Sequence, residues 1–317
     1  MTYRNTLNSF KSIMSCQKQR RLKEIAEENQ TVSLPDGRQL GYLIVGKSEP
    51  VFYFHGTASS RLEVLLLKEL TRKKRLRLIG VDRPGAGLST FAPKKSLRDF
   101  NADINHLADH LGVDRFAVLG WSGGGPYALT YLAFFPERVT HAVIAASPAL
   151  PFDVATAHNK ALARFAMKFP SLGMLALKRL QAQVLNANKN VEAFLQSQNG
   201  KNMLKSWSKE DAKFFEDKTW ATLMYASMAE AFRQGDDGVK AVFQEHQLFM
   251  KTWPKEVSKI PPGKVEIWQG TDDKTCRVDN AYRIAEAVPG VHLEIFKGKG
   301  HCVMFGNLEK LGETLVG

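Results

Sequence analysis

From residue 31 onward, short apolar runs alternate along the chain with longer stretches of helical periodicity. TVSL and QLGYLIV flank Pro35-Asp36-Gly37 and predict a hairpin, since proline presets one turn dihedral and glycine accepts a left-handed one. VFYF (51–54) and LRLIGVD (76–82) are too short for helices and read as strands, ending at His55-Gly56 and at Asp82-Arg83-Pro84-Gly85. RLEVLLLKEL, between them, reads as helix. Residues 97–111 place Leu97, Phe100, Ile104, Leu107 and Leu111 on one helical face. RFAVLG is a further strand, a helix begins near Gly123, and RVTHAVIAAS (138–147) is the next strand.

Short buried strands alternating with helices indicate an α/β fold with a mostly parallel sheet. Functional groups in such sheets gather beyond the carboxyl ends of the strands, where His55-Gly56, Asp82-Arg83 and Ser122 fall. From 151 to 255 strand patterns disappear and helical ones follow one another: ALARFAMKF, GMLALKRLQAQVL, TLMYASMAEAFRQ and GVKAVFQEHQLFM. The alternation then resumes with KVEIWQG, DNAYRIAEAV, VHLEIF and NLEKLGETL. The expected organisation is a basic helical extension (1–30), a first part of the core (31–150), a helical cap or lid (151–255) and a second part of the core (256–317).

Composition narrows this picture. At 317 residues, 44% hydrophobic and 24% charged, the chain is long enough for a sizeable core and ordinary for a globular protein. No apolar run approaches the roughly 18–20 residues of a membrane span. The first 23 residues lack Asp and Glu and carry Arg4, Lys11, Lys18, Arg20, Arg21 and Lys23. They read as a surface helix, with an organellar transit segment as the alternative, so a cytoplasmic location is expected unless that segment is a targeting signal. The net charge of +12 raises the question of nucleic acid, but RKKRLR (72–77) sits at a helix end with no recognition motif beside it, and no specific nucleic-acid partner is expected. Three cysteines, Cys16, Cys276 and Cys302, are odd in number and lack ligand spacing, which points to a reducing compartment without disulfides or a metal centre.

The chemistry concentrates at Gly120-Trp121-Ser122-Gly123-Gly124, a G-x-S-x-G pattern between a strand and a helix. A serine on so sharp a turn needs small residues two places before and after it, and Gly120 and Gly124 are there. The run is not G-x-G-x-x-G and no P-loop lysine follows it. Ser122 is the expected nucleophile and the Gly123 amide an oxyanion donor. A serine needs a base, and the base needs an orienting acid. Of the downstream histidines, His141 and His292 lie in strands and His158 and His246 in the cap. His301, in GKGHC just after the last strand, is the expected base.

FHGTASS, VDRPGAGLS, GWSGGGP, GTDDKT and GKGHC together resemble the α/β-hydrolase superfamily of serine esterases and lipases, over residues 31–150 and 255–317. The resemblance implies the α/β-hydrolase fold with a helical cap inserted between strands. Members carry G-x-x-D after the penultimate strand, which selects Asp273 as the acid; Asp272, and Asp153 after an earlier strand, are the alternatives. Where the family commonly has a proline after the acid, this chain has Thr275-Cys276-Arg277. Cys276 and Cys302 then read as pocket-wall or packing residues. The second oxyanion donor falls, by resemblance, on the Thr57 amide, with Ala58 as the alternative. His55, Asp82 and Arg83 read as bracing residues, and Ala58 and Trp121 as substrate-side residues, Trp121 equally as one packed beneath the site.

The expected activity is hydrolysis of a carboxylic ester through an acyl-enzyme, on a small to medium, largely apolar substrate, without a cofactor or metal. Thioester, lactone, amide or carbon–carbon substrates are alternatives. Amide cleavage at a free amine calls for an acidic cap residue, and Glu192, Glu230 and Glu245 are candidates of unknown direction. A ligand receptor that keeps the pocket with little turnover is the alternative from another class.

Overall fold

The computed structural model describes residues 29–153 and 169–316. The chain divides into Met1–Gln30 and Thr31–Gly317, and the first unit, expected to be a basic extension, lies almost wholly outside the described residues. The hairpin opens an eight-stranded sheet of β1 (Asn29–Ser33), β2 (Gln39–Gly46), β3 (Glu49–Phe54), β4 (Leu76–Val81), β5 (Phe116–Trp121), β6 (Val139–Ala145), β7 (Val265–Gly270) and β8 (His292–Phe296). Their order across the sheet is β1-β2-β4-β3-β5-β6-β7-β8. β2 is antiparallel to β4, and the pairings from β4 across to β8 are parallel. All six residues of β5 are buried, as a central parallel strand covered on both faces must be.

α1 (Lys68–Lys73) is preceded by a 3-10 segment, Arg61–Leu67, where one continuous helix was expected. The segment buries Arg61 and Glu63, whose charged ends reach back to Asp82 and to Tyr53 and Gly56. α2 (Leu97–His110) starts at a capping box between Ser96 and Asp99. α3 (Gly125–Phe134) leaves the glycine run, and α10 (Asp279–Ala287) and α11 (Leu308–Val316) flank β8 in the chain. The main core lies on one face of the sheet, where alternate residues of the strands (Phe52, Ile79, Val118, Ile144, Ile267) cluster with α2, α3 and α10. Phe52 and Phe116 meet in it with ring centroids 4.3 Å apart.

Between β6 and β7 the described chain is helical: α4 (Pro170–Lys189), α5 (Val191–Gln196), α6 (Gln198–Ser206), α7 (Lys209–Glu216), α8 (Lys218–Ala231) and α9 (Asp236–Phe249). The helix expected at ALARFAMKF lies outside the described residues. α5, α6 and α7 have six to nine residues and no sustained apolar face, and the side chains of Asn190, Ser197 and Ser208 cap their starts. The insertion has a small core of its own, in which Val184, Ala229, Phe232, Val239 and Val242 enclose Ala58 from the loop after β3. Ser227 of α8 bonds Ser59 (2.9 Å) and Ser60 (3.0 Å), and Glu230 pairs with Arg61 (3.0 Å).

Candidate active site

Three non-glycine residues with left-handed backbone stand just beyond adjacent strands: Ala58 (φ 54°) after β3, Ser122 (φ 53°) after β5 and Ala146 (φ 49°) after β6. Each costs about 1–3 kcal/mol and persists only where its surroundings over-determine it. At Ser122 the surroundings are glycine. A Cβ on Gly120 would stand 2.9 Å from Ala128 Cβ and Gly124 O, and one on Gly124 would overlap the Phe54 carbonyl. The strand therefore turns into α3 without clearance for a side chain on either side of the serine.

His301 and Asp273 meet at the same end of the sheet. His301 Nδ1 lies 2.8 Å from Asp273 Oδ2. Asp273 is 4% exposed, and Gln269 Nε2 donates to the same oxygen (3.1 Å). Its Oδ1 accepts the Thr275 and Cys276 amides at 2.7 and 2.9 Å. The Thr275-Cys276 stretch thus does locally what a proline would not: it supplies two N–H donors to the carboxylate. Asp272 is exposed and bonded by Thr271 (2.8 Å), and Asp153 is exposed; the carboxylate on His301 is that of Asp273. Burial disfavours the charged imidazole, but the charge and hydrogen bond of Asp273, with the charges of Asp211 and Glu63, together outweigh this and raise His301 above the ordinary 6.5. The ring packs between Trp121 (centroids 5.1 Å) and Trp207 of the insertion (5.8 Å), and Trp121 Nε1 donates to the His301 carbonyl (2.9 Å). Trp121 is thereby committed to bracing the histidine loop. The Ser122 hydroxyl stands near the buried Cys276 thiol.

Thr57 and Gly123 come together: Thr57 N stands 3.0 Å from where a Gly123 Cβ would be. The Thr57 peptide is held from behind. Arg83 Nη2 donates to the Gly56 carbonyl (2.9 Å) and Nη1 to the His55 carbonyl, while the Gly56 amide donates to Glu63 (2.8 Å). In a trans peptide the C=O and the following N–H point to opposite sides, so fixing the Gly56 oxygen on Arg83 aims the Thr57 N–H away from it. Glu245 of α9 in turn holds Arg83 Nε (2.8 Å) and Nη2 (3.0 Å) and accepts from Thr57 Oγ1 (2.6 Å). His55 bonds Gly56 O through Nδ1 (2.8 Å), and burial with Arg83 nearby pushes it well below 6.5, which keeps it neutral. Burial raises Glu63.

A scan against family models matches residues 49–308 to the alpha/beta hydrolase fold. The chain belongs to that family. A curated relative, the uncharacterized hydrolase YcgS of Bacillus subtilis (strain 168), is 32% identical over 104 residues, 33% of this chain and 36% of its own. Homoserine O-acetyltransferase of Gluconobacter oxydans (strain 621H) is 52% identical over 58 residues, 18% of this chain and 15% of its own. The chain thus matches only about a third or less of the length of these relatives. Among solved structures, an esterase from Exiguobacterium antarcticum superposes with TM-score 0.62 at 21% identity, covering 90% of this chain and 97% of its own. A meta-cleavage product hydrolase from Pseudomonas fluorescens IP01 gives 0.61 at 19%, covering 92% and 97%. These likenesses show the fold.

Within that fold, sequence reasoning left out Glu63, Trp207 and Asp211. Asp211 was legible only as the fourth residue of Ser208-Lys-Glu-Asp211, a helix-start signature. Of the three acidic residues of unknown direction, Glu192 is exposed and paired with Lys218, Glu230 reaches Arg61 and Arg233, and Glu245 is the one beside Thr57. For a metal, Glu266, His292 and Glu294 bring ligand atoms within 4.8 Å of one another on β7 and β8. Glu266 is already bonded by the Trp268 indole (2.9 Å) and Glu294 by Lys310.

Proposed function

We propose that the chain is a serine hydrolase that cleaves a carboxylic ester through an acyl-enzyme, with Ser122 as nucleophile, His301 as base and Asp273 as the orienting acid. The observation that carries this reading is the buried His301–Asp273 pair, 2.8 Å apart, facing the sheet end where Ser122 holds its left-handed backbone. The Nδ1–H is engaged by Asp273, which leaves Nε2 as the proton acceptor. In the cycle the Ser122 hydroxyl donates to Nε2, and its oxygen bonds the ester carbonyl carbon as the proton passes to the imidazole. The amides of Gly123 and Thr57 take the oxyanion. The imidazolium returns the proton to the leaving alkoxide, and water then repeats the steps and frees the acid.

The insertion is read as a cap. Its Trp207, Phe214, Phe215 and Trp220 meet Trp121, His301 and Phe305 in one aromatic group, which supports a largely apolar acyl side. The short matches to homoserine acyltransferases favour one second reading: the same acyl-enzyme resolved by an alcohol instead of water. Hydrolysis of p-nitrophenyl esters of increasing acyl length, with and without added homoserine, tests both. Turnover that is absent in Ser122→Ala supports the serine mechanism. An O-acyl product formed only with homoserine would replace the hydrolase by the transferase. No turnover above the mutant's background on any ester, with or without homoserine, would count against both.

A further inference from the structure

Asp211 stands in the first turn of α7, in the insertion, and is 1% exposed. Its Oδ2 accepts the His301 amide (2.9 Å) and the Ser208 hydroxyl (2.7 Å), and its Oδ1 accepts the Cys302 amide (2.7 Å). The carboxylate is thus fastened to the main chain of the loop that carries the base. A Cβ on Gly300 would overlap both Asp211 Oδ2 and Ser208 Oγ, so the glycine preceding His301 is there to admit the insertion. The same stretch lays Trp207 on the His301 ring, and the Trp207 carbonyl accepts from Lys274 in the loop of Asp273 (2.9 Å). Burying a carboxylate is costly unless its oxygens are filled and its charge is answered. Here two amides and a hydroxyl fill them, and among the described residues no Lys or Arg pairs with Asp211.

We propose that Asp211 is a positioning residue for His301, holding the base's loop through two main-chain amides, and that the insertion is thereby part of the catalytic apparatus rather than only a cover. The proposal rests on the serine-hydrolase reading. Asp211 does not touch the reacting atoms. It fixes where the ring stands, and its uncompensated charge favours the imidazolium that forms when Ser122 gives up its proton. The charged groups facing His301 are Asp273 from the loop after β7, Asp211 from α7 and Glu63 from the segment after β3. All three raise its proton affinity. The Cys276 and Cys302 thiols beside it are pushed well up by burial and stay protonated.

The test compares wild type with Asp211→Asn, nearly isosteric but uncharged, and Asp211→Glu, which keeps the charge on a longer arm. Folding is checked by circular dichroism. With p-nitrophenyl butyrate, kcat of Asp211→Asn falls about ten- to a hundredfold while KM stays within about threefold, the signature of a displaced base. Its acid limb of kcat/KM also moves to lower pH. Asp211→Glu loses kcat but keeps the wild-type limb, and it decides the matter alone if Asp211→Asn does not fold. A folded Asp211→Asn with wild-type kcat, a loss confined to KM, or a limb shifted equally in both variants would overturn the proposal. If wild type turns over no ester, the hydrolase reading fails, and titration of the His301 ring by NMR still decides this one. A lower His301 pKa in Asp211→Asn than in wild type upholds the coupling; an identical pKa removes it.

Discussion

The sheet end and the helical insertion meet at the same few atoms but hold them by different means. Ser122, Thr57 and the His301–Asp273 pair sit on loops that leave β5, β3, β8 and β7 at one end of the sheet, and their geometry is set by backbone: a left-handed φ at Ser122, glycines without clearance, amides that fill Asp273. The insertion contributes carboxylates and rings that grip those loops from outside: Asp211 on the histidine loop, Glu245 on Arg83 and Thr57, Trp207 on the imidazole. The difference separates chemistry from alignment. In the proposed mechanism the reacting groups come from the sheet end, while the insertion grips two of the loops that carry them.

If that division is correct, variants rank by region. Ser122→Ala is expected to lower kcat for an ester substrate by about 10⁴-fold or more, measured by steady-state hydrolysis. Asp273→Asn is expected to cost about 10³- to 10⁴-fold, because its amide leaves the imidazole in the wrong tautomer. Glu245→Gln should come next. The Arg83–Glu245 pair is buried on both sides, with side chains 4% and 8% exposed, and neutralising one partner should destabilise the fold by about 3–5 kcal/mol in urea unfolding. In the protein that remains folded, kcat should fall about tenfold as the Thr57 amide loses its aim. A Glu245→Gln loss as large as that of Ser122→Ala would break the division.

Smaller effects sharpen it. His301 is raised above 6.5, so kcat/KM should fall on the acid side with a midpoint above pH 6.5 as the base becomes protonated. A raised folded-state value stabilises the fold below pH 6.5, and that contribution is lost as pH rises through the folded value. His55, held well below 6.5, has the opposite sign: its contribution is present above pH 6.5 and lost as pH falls through its folded value. On the outer face of the insertion, Lys218→Ala breaks an exposed pair with Glu192 and should change stability by less than about 0.5 kcal/mol.

The two regions also differ in how far the sequence reveals them. Strands such as VFYF and RFAVLG are legible because central parallel strands must be apolar throughout, and the sharp turn at Ser122 because a missing Cβ is a local requirement. The insertion offers weaker signals. α5, α6 and α7 are one to three turns long, too short for periodicity, and only their capping residues mark them. Asp211 reads as an ordinary capping-box residue, and nothing in its neighbours says that its carboxylate crosses to residues 301 and 302. The direction of Glu245 is set by where α9 lies against the loop after β3, a tertiary fact without a local pattern. RLEVLLLKEL is helical as expected, but its first part winds as a 3-10 segment, Arg61–Leu67, which buries the ion pair of Arg61 and the bonds of Glu63, partners the local pattern does not reveal.

The central claim is that Ser122 is the nucleophile. Incubation with a fluorophosphonate, followed by peptide mapping, tests it most directly. One phosphonyl adduct on the peptide containing Ser122, formed by the wild type and lost in Ser122→Ala, is the predicted result. No adduct on the folded wild-type protein, or an adduct on another residue, would contradict it.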